Sequence, residues 1–314
     1  EFLQKQMTKN SASRAAKQQK AISLINQGKL QEAEAIYRDL IANGTRNHII
    51  YGNLAAVCGM QGRLDESIEL LKKALEIKPD YADAHNNLAK SLTMKGDLNA
   101  AINSYKTAIS LNPYYPEAYN NIGISLEKEG NLNEAISYYE KALRLKPNLP
   151  EAHYNLGNAL KKKGDQAAAI DSFRTAIRFK ADYPEAHNNI GNILKEQDNL
   201  IEAINSYNTA IQLNPKYPDA LYNLGIALHS QGKLTAAITN FNLAIQLNPN
   251  YPDAYNNLGN ACKDKGDLKA AIECFNKAIE LKPDNPSAHL NSSLAKLLCG
   301  DYKNGWDEYE WRLK

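Results

Sequence analysis

The chain has 314 residues, with 37 basic and 35 acidic side chains and a formal net charge of +2. That balance lacks the strong field expected of a nucleic-acid or anionic-lipid surface. No apolar run approaches the ~20 residues that span a bilayer.

Residues 1–13 show no sustained periodicity and predict a disordered or frayed lead-in. The opening Glu1-Phe2 reads as a cloning remnant and leaves a removed leader open. Residues 14–47 predict a degenerate helix pair through Gly28, Leu30, Ala33, Tyr37, Leu40 and Ile41. The run Lys17-Gln18-Gln19-Lys20 makes its first helix polar. This fits an end cap whose outer face meets water, or an interface with a preceding segment. Seven well-formed units of 34 residues fill 48–285, starting near His48, Ala82, Pro116, Pro150, Pro184, Pro218 and Pro252.

The unit at 116–149 shows the pattern. Pro116 suits the first turn of a helix, and Ala118, Ile122 and Leu126 give that helix an apolar stripe. Gly130 ends it, and Asn131 leads into a second helix carrying Leu132, Ala135, Ile136, Tyr139, Ala142 and Leu143, with Pro147 beyond. Steps of 34 from Gly130 reach Gly28, Gly62, Gly96, Gly164, Asp198, Gly232, Gly266 and Gly300. The same step joins Pro79, Pro113, Pro147, Pro215, Pro249 and Pro283, with Ala181 as the gap, and a third series from Ala84 to Ala288. Neither helix can bury its stripe alone, so the units must stack.

These three series resemble the tetratricopeptide repeat family. The resemblance implies an all-α fold, a right-handed α-α superhelix of helix–turn–helix repeats, with a concave inner surface that binds peptide. It also makes this chain a binding module and not an enzyme. Small residues mark close helix contacts: Ala101, Ala135, Ala169, Ala203, Ala237 and Ala271, and Gly123, Gly157, Gly191, Gly225 and Gly259. Tyr105, Tyr139, Phe173, Tyr207, Phe241 and Phe275 fill the facing gap.

No constellation for chemistry emerges. The chain has no phosphate loop, zinc-protease motif, nucleophile elbow or C-x-x-C pair, and nothing in it calls for a cofactor. His85, His153, His187 and His289 share one repeat position, ~10 Å apart in a stack. That spacing fits packing or hydrogen bonding better than a metal. Cys58, Cys262, Cys274 and Cys299 have neither disulfide nor ligand spacing, which points to a reducing, cytoplasmic setting.

The candidate binding residues are asparagines. Asn53, Asn87, Asn121, Asn155, Asn189, Asn223, Asn257 and Asn291 recur at one position, opposite the apolar stripe of the first helix. Asn158, Asn192 and Asn260 lie one turn further along. A carboxamide both donates and accepts, so a ladder of them can grip the backbone of an extended peptide without reading its sequence. The alternative is that each bonds a neighbouring helix. The ladder resembles that of O-linked N-acetylglucosamine transferase repeats, and among bacterial proteins the chain resembles SPINDLY-like glycosyltransferases. Acidic residues at the groove entry, Asp83, Glu117, Glu151, Glu185, Asp219 and Asp253, argue against a clamp for acidic tails. The charge balance argues against an RNA-reading helical repeat.

Residues 286–314 read as a degenerate partial repeat, truncated within a helix pattern. Ser292 replaces the expected leucine and Gly305 the expected alanine, and Trp306 and Trp311 are the two tryptophans of the chain. This end reads either as a hydrophobic cap or as a junction to a downstream catalytic domain. The functional expectation is therefore a scaffold for an extended peptide or partner protein. The alternative is the substrate-recruiting arm of a glycosyltransferase.

Overall fold

The structure is a computed structural model that describes residues 2–313, with side chains described from 13 to 311. Among the described residues it contains eighteen α-helices, a closing 3-10 turn and no strand. The chain divides into two compact units, Glu1–Lys163 and Gly164–Lys314. The first holds α1 (Phe2–Asn26), α2 (Leu30–Ala42), α3 (His48–Met60), α4 (Leu64–Ile77), α5 (Ala82–Lys95), α6 (Leu98–Leu111), α7 (Pro116–Glu129), α8 (Leu132–Leu145) and α9 (Pro150–Lys163). The second holds α10 (Gln166–Phe179), α11 (Pro184–Glu196), α12 (Leu200–Leu213), α13 (Pro218–Ser230), α14 (Leu234–Leu247), α15 (Pro252–Asp264), α16 (Leu268–Leu281), α17 (Pro286–Leu298) and α18 (Tyr302–Tyr309).

The lead-in differs from expectation. Helix α1 starts at Phe2, so the backbone of 2–13 is helical where the sequence predicted a frayed stretch; residue 1 lies outside the described residues. This stretch has no proline or glycine and is rich in good helix formers. It has little apolar periodicity, the signal on which the sequence reading relied. Further along, Ala21 and Leu24 of α1 join Ala33, Tyr37 and Leu40 of α2 in a buried cluster. The polar run helps to hold this cap: Lys17 pairs with Asp39 at 2.6 Å. Glu34, Arg38, Arg63 and Glu66 form an ion network that ties α2 to the next pair, with Arg63 to Glu34 at 2.5 Å.

Each hairpin turn is made by one residue in the left-handed region. Gly130 has φ +92°, and the following N–H, on Asn131, reaches back to the Leu126 carbonyl at 2.8 Å. Aspartates cap several of the second helices: Asp97, Asp165 and Asp267 accept from the N–H of Ala100, Ala168 and Ala270 at 3.0–3.2 Å. One turn departs from the rule. Asp198 stands in the glycine place with φ +59°, where a side chain strains the backbone.

Packing within a repeat rests on contact between a glycine and an aromatic ring. A Cβ on Gly123 would lie 2.5 Å from the ring of Tyr139. Gly191 meets Tyr207, Gly225 meets Phe241 and Gly259 meets Phe275 in the same way, at 2.5–2.6 Å. These four rings are fully buried, as are the alanines from Ala101 to Ala271 in the close-contact series. Between repeats, each second helix packs on the following first helix, as α6 does on α7 and α14 on α15. Successive first helices also touch: α3, α5, α7 and α9 in one unit, and α11, α13, α15 and α17 in the other. Second helices make no comparable mutual contact among the described residues. Each unit therefore curves with its first helices on the inside.

Two substitutions test this account. Gly225→Ala gains helix propensity but drives a methyl into Phe241, and overpacking of this kind costs ~1–3 kcal/mol; thermal unfolding should show a lower melting temperature. Asp198→Gly relieves the left-handed strain and should stabilise by roughly 0.5–1 kcal/mol. Urea denaturation should show that gain as a higher midpoint with an unchanged slope.

Candidate functional site

The inner side of each unit is built from the first helices. Their apolar stripe faces the second helices, which leaves the ladder asparagines on the opposite face, all eight half-buried. In the first unit, Asn121 Nδ2 donates to Asn86 Oδ1 at 3.4 Å and Asn155 Nδ2 to Asn120 Oδ1 at 3.0 Å. Asn53 Nδ2 donates to the Tyr37 hydroxyl at 3.3 Å. In the second unit, Asn223 donates to Asn188 at 3.1 Å, Asn257 to the Tyr222 hydroxyl at 2.8 Å and Asn291 to Asn256 at 3.0 Å. Asn189 is also engaged.

Five of these bonds share one geometry. A ladder amide reaches back 35 residues to the side chain just before the ladder position in the preceding repeat. Asn86, Asn120, Asn188, Asn256 and Tyr222 thus belong to the hydrogen-bond network of the candidate residues, and the sequence reading missed them. Their signal was present as a second series of asparagine or tyrosine at the same 34-residue step. Each bond fixes the amide plane, while a carboxamide offers up to four hydrogen-bonding sites. The bond to the neighbouring helix therefore uses only part of its capacity.

Asn87 differs from the others. The residue that should accept its bond is Gly52, which has no side chain, and Asn87 has no side-chain hydrogen bond among the described residues. The asparagines one turn on are also distinct. Asn192 accepts from the Tyr207 hydroxyl at 2.8 Å, Asn158 is engaged, and Asn260 is half-buried. Exposed charges on the inner face are partly paired, as Lys162 is with Glu127 at 2.6 Å.

The histidine series has a bonding role at the turns between repeats. Nε2 of His85, His153 and His289 faces the carbonyl of Pro79, Pro147 and Pro283 at 2.8–2.9 Å. A carbonyl can only accept, so that nitrogen carries the proton. His187 follows the turn in which Ala181 replaces proline and shows no such bond among the described residues; burial pushes its pKa down. Among the described residues no group of three His, Cys, Asp or Glu side chains is placed to hold a metal. All four cysteines are free, and burial pushes the Cys58 thiol up to about 11 and Cys274 up to about 12. No described helix is long and apolar enough to cross a membrane.

The last helix pair is closed by a polar cluster. Trp311 stacks flat on His289 with ring centroids 3.8 Å apart, and the other ring nitrogen of His289 bonds Glu308. Lys296 reaches the second oxygen of Glu308 at 2.5 Å. Trp306 is 56% exposed, and Trp311, in its stack, is half-buried. Ser292 is fully buried, and its hydroxyl has no partner among the described residues.

A stack of two-helix repeats defines a helical-repeat scaffold. Family models described as TPR repeat match 60–96, 89–130, 125–164, 157–198, 191–232 and 227–263, and one described as tetratricopeptide repeat matches 252–285. The chain belongs to the tetratricopeptide repeat family. Among curated proteins none matches it. Among solved structures it is similar to YrrB, described as a TPR protein with an unusual peptide-binding site. The identity is 27% and the TM-score 0.50, over 59% of this chain and 95% of that one. It is also similar to the Cut9–Hcn1 assembly of APC/C, at 20% identity and TM-score 0.60, over 91% of this chain and 56% of that one. PilF of Pseudomonas aeruginosa matches at 22% and 0.56, over 62% of this chain and 88% of that one. The last two likenesses are of fold.

The C-terminal cluster sets a pH dependence. Burial opposes the charge on Glu308, but hydrogen bonds from Lys296 and His289 outweigh it, so its carboxyl titrates below the usual range. A lowered folded-state pKa contributes stability above the unfolded value, ~4.3, and loses it as pH falls through the folded one. Tryptophan emission should therefore shift to the red as the pH is lowered below ~4.5. In Glu308→Gln that shift should be present in part at neutral pH.

Proposed function

We propose that the chain is a non-catalytic scaffold that holds an extended segment of a partner protein along the inner faces of its first helices. The asparagine ladder, Asn53 to Asn291, grips the backbone of that segment. Asn158, Asn192 and Asn260 stand beside it as auxiliary contacts. The observation that carries this reading is the half-buried amide repeated on the inner faces, oriented in at least six of the eight by a bond to the preceding repeat and with capacity left over. Pre-oriented amides lose little freedom on binding. The likeness to YrrB, described as having a peptide-binding site, favours the same class of ligand.

A second reading makes the chain the substrate-recruiting arm of a glycosyltransferase. It is supported by the resemblance of 300–312 to the junction before such catalytic domains, and by the apolar surface of Leu298, Tyr302 and Trp306, each more than half exposed. Reading the gene around this segment would decide it: a following α/β catalytic domain supports the arm, and its absence removes it.

The ladder is tested by the triple variant Asn155→Ala, Asn223→Ala, Asn291→Ala. Each loses an inter-repeat bond worth about 0.5–1.5 kcal/mol, offset in part by the better helix propensity of alanine. Melting should fall by a few degrees while helicity is retained. Binding to an immobilised random-peptide library should fall for unrelated sequences alike, because backbone is what the amides hold. Undiminished binding by the folded variant would remove the ladder from this account.

A further inference from the structure

One place on the inner face has a cavity. In some repeats a tyrosine hydroxyl fills the inner face from behind, as Tyr139 reaches Glu127 at 2.9 Å and Tyr207 reaches Asn192 at 2.8 Å. In the repeat starting at His48 the ring is replaced by Leu71, and the position of Glu127 is Gly59. In that repeat a cavity of about 260 Å³ lies between α3 and α5, beside Gly59. Ala55, Ala56 and Gly59 form one wall, and Ser67 and Ser91 the floor. The two floor hydroxyls are buried and bonded to each other at 3.1 Å, with Ser67 also donating to the Ala55 carbonyl. Their polarity is satisfied, so the floor asks for no polar ligand.

The rim supplies the rest. Met60 and Met94 are 62% and 55% exposed, two of only three methionines in the chain. Unbranched thioethers adapt to varied apolar shapes. Asn87, the ladder amide left without its neighbour by Gly52, lines the same cavity, as does the exposed Lys90. Lys90 has no carboxylate partner among the described residues. An unengaged amide, an apolar hole the size of one large side chain and an unpaired ammonium thus lie within two turns of α5.

We infer that this cavity is a specificity pocket: it takes one leucine-, isoleucine- or methionine-sized side chain of the bound peptide, with Asn87 holding the peptide backbone there and Lys90 pairing with a neighbouring carboxylate. The inference rests on the extended-peptide reading and adds a sequence preference to it. The ladder reads backbone, and this pocket reads one residue. Fully burying a side chain of that size is worth ~10- to 100-fold in affinity, whereas the exposed ion pair adds at most a few-fold.

The test uses the full chain and a display library of random peptides of about a dozen residues, ~40 Å when extended. Selected peptides should share an apolar anchor next to aspartate or glutamate. Their synthetic forms should lose ~10- to 100-fold when the anchor becomes alanine. Gly59→Leu should fill the cavity: a Cβ there sits 3.5 Å from Ser67 Oγ, an ordinary contact. That variant should keep its melting temperature, lose the anchor preference and bind the alanine peptide as wild type does. Met94→Glu, on the exposed rim, gives the same answer should Gly59→Leu fold poorly. Peptides without a shared anchor, bound equally by Gly59→Leu, would overturn the pocket and leave the ladder standing. A library that yields no binder at all would overturn the extended-peptide reading, and the pocket with it.

Discussion

The contact on which each unit depends is that of an aromatic ring against a glycine. Gly123, Gly191, Gly225 and Gly259 each leave room for one ring from the partner helix, at a separation that no side chain could share. A glycine in mid-helix weakens that helix by about 1 kcal/mol relative to alanine. Burial of a whole ring offsets that loss, and it sets how closely the two helices approach. The turn glycines, the buried alanines and the curvature toward the first helices all presuppose this spacing.

Much of this was legible in the sequence because repetition makes weak signals strong. A single Gly-x-Tyr coincidence means little, but a series at one step fixes the partners of each residue before any coordinates are seen. The helix pairs, their turn residues and the ring–glycine pairing follow from that step. Helix α1 over 2–13 did not, because a helix of polar residues has propensity without periodicity. The histidines were read as bonding or packing groups, but the proline carbonyl as their partner is a matter of turn geometry that spacing does not reveal.

The site was legible in its residues and not in its connections. Position on the helix placed the asparagines on the inner face, yet whether an amide turns to a ligand or to a neighbour depends on the residue 35 places earlier. The structure gives most of them a neighbour, which is the alternative that position alone left open. Local departures from the repeat are visible too: Gly52 leaves Asn87 without the neighbour that the other amides have, and Gly59 lies beside it in the same cavity.

The 35-residue reach of the ladder bonds has a bearing on how such a chain can change length. Each amide needs only the repeat before it, and the acceptors are interchangeable in kind. Excising 116–149 from the first unit would bring Asn155 beside Asn86, the residue that now accepts from Asn121. The seam would close with the same pair of side chains that the cut removed. Gain or loss of whole modules is therefore nearly silent at the junction, whereas a cut that is not a multiple of 34 residues breaks the bond that spans the seam. Such a protein can be lengthened or shortened like a ruler marked in a single unit.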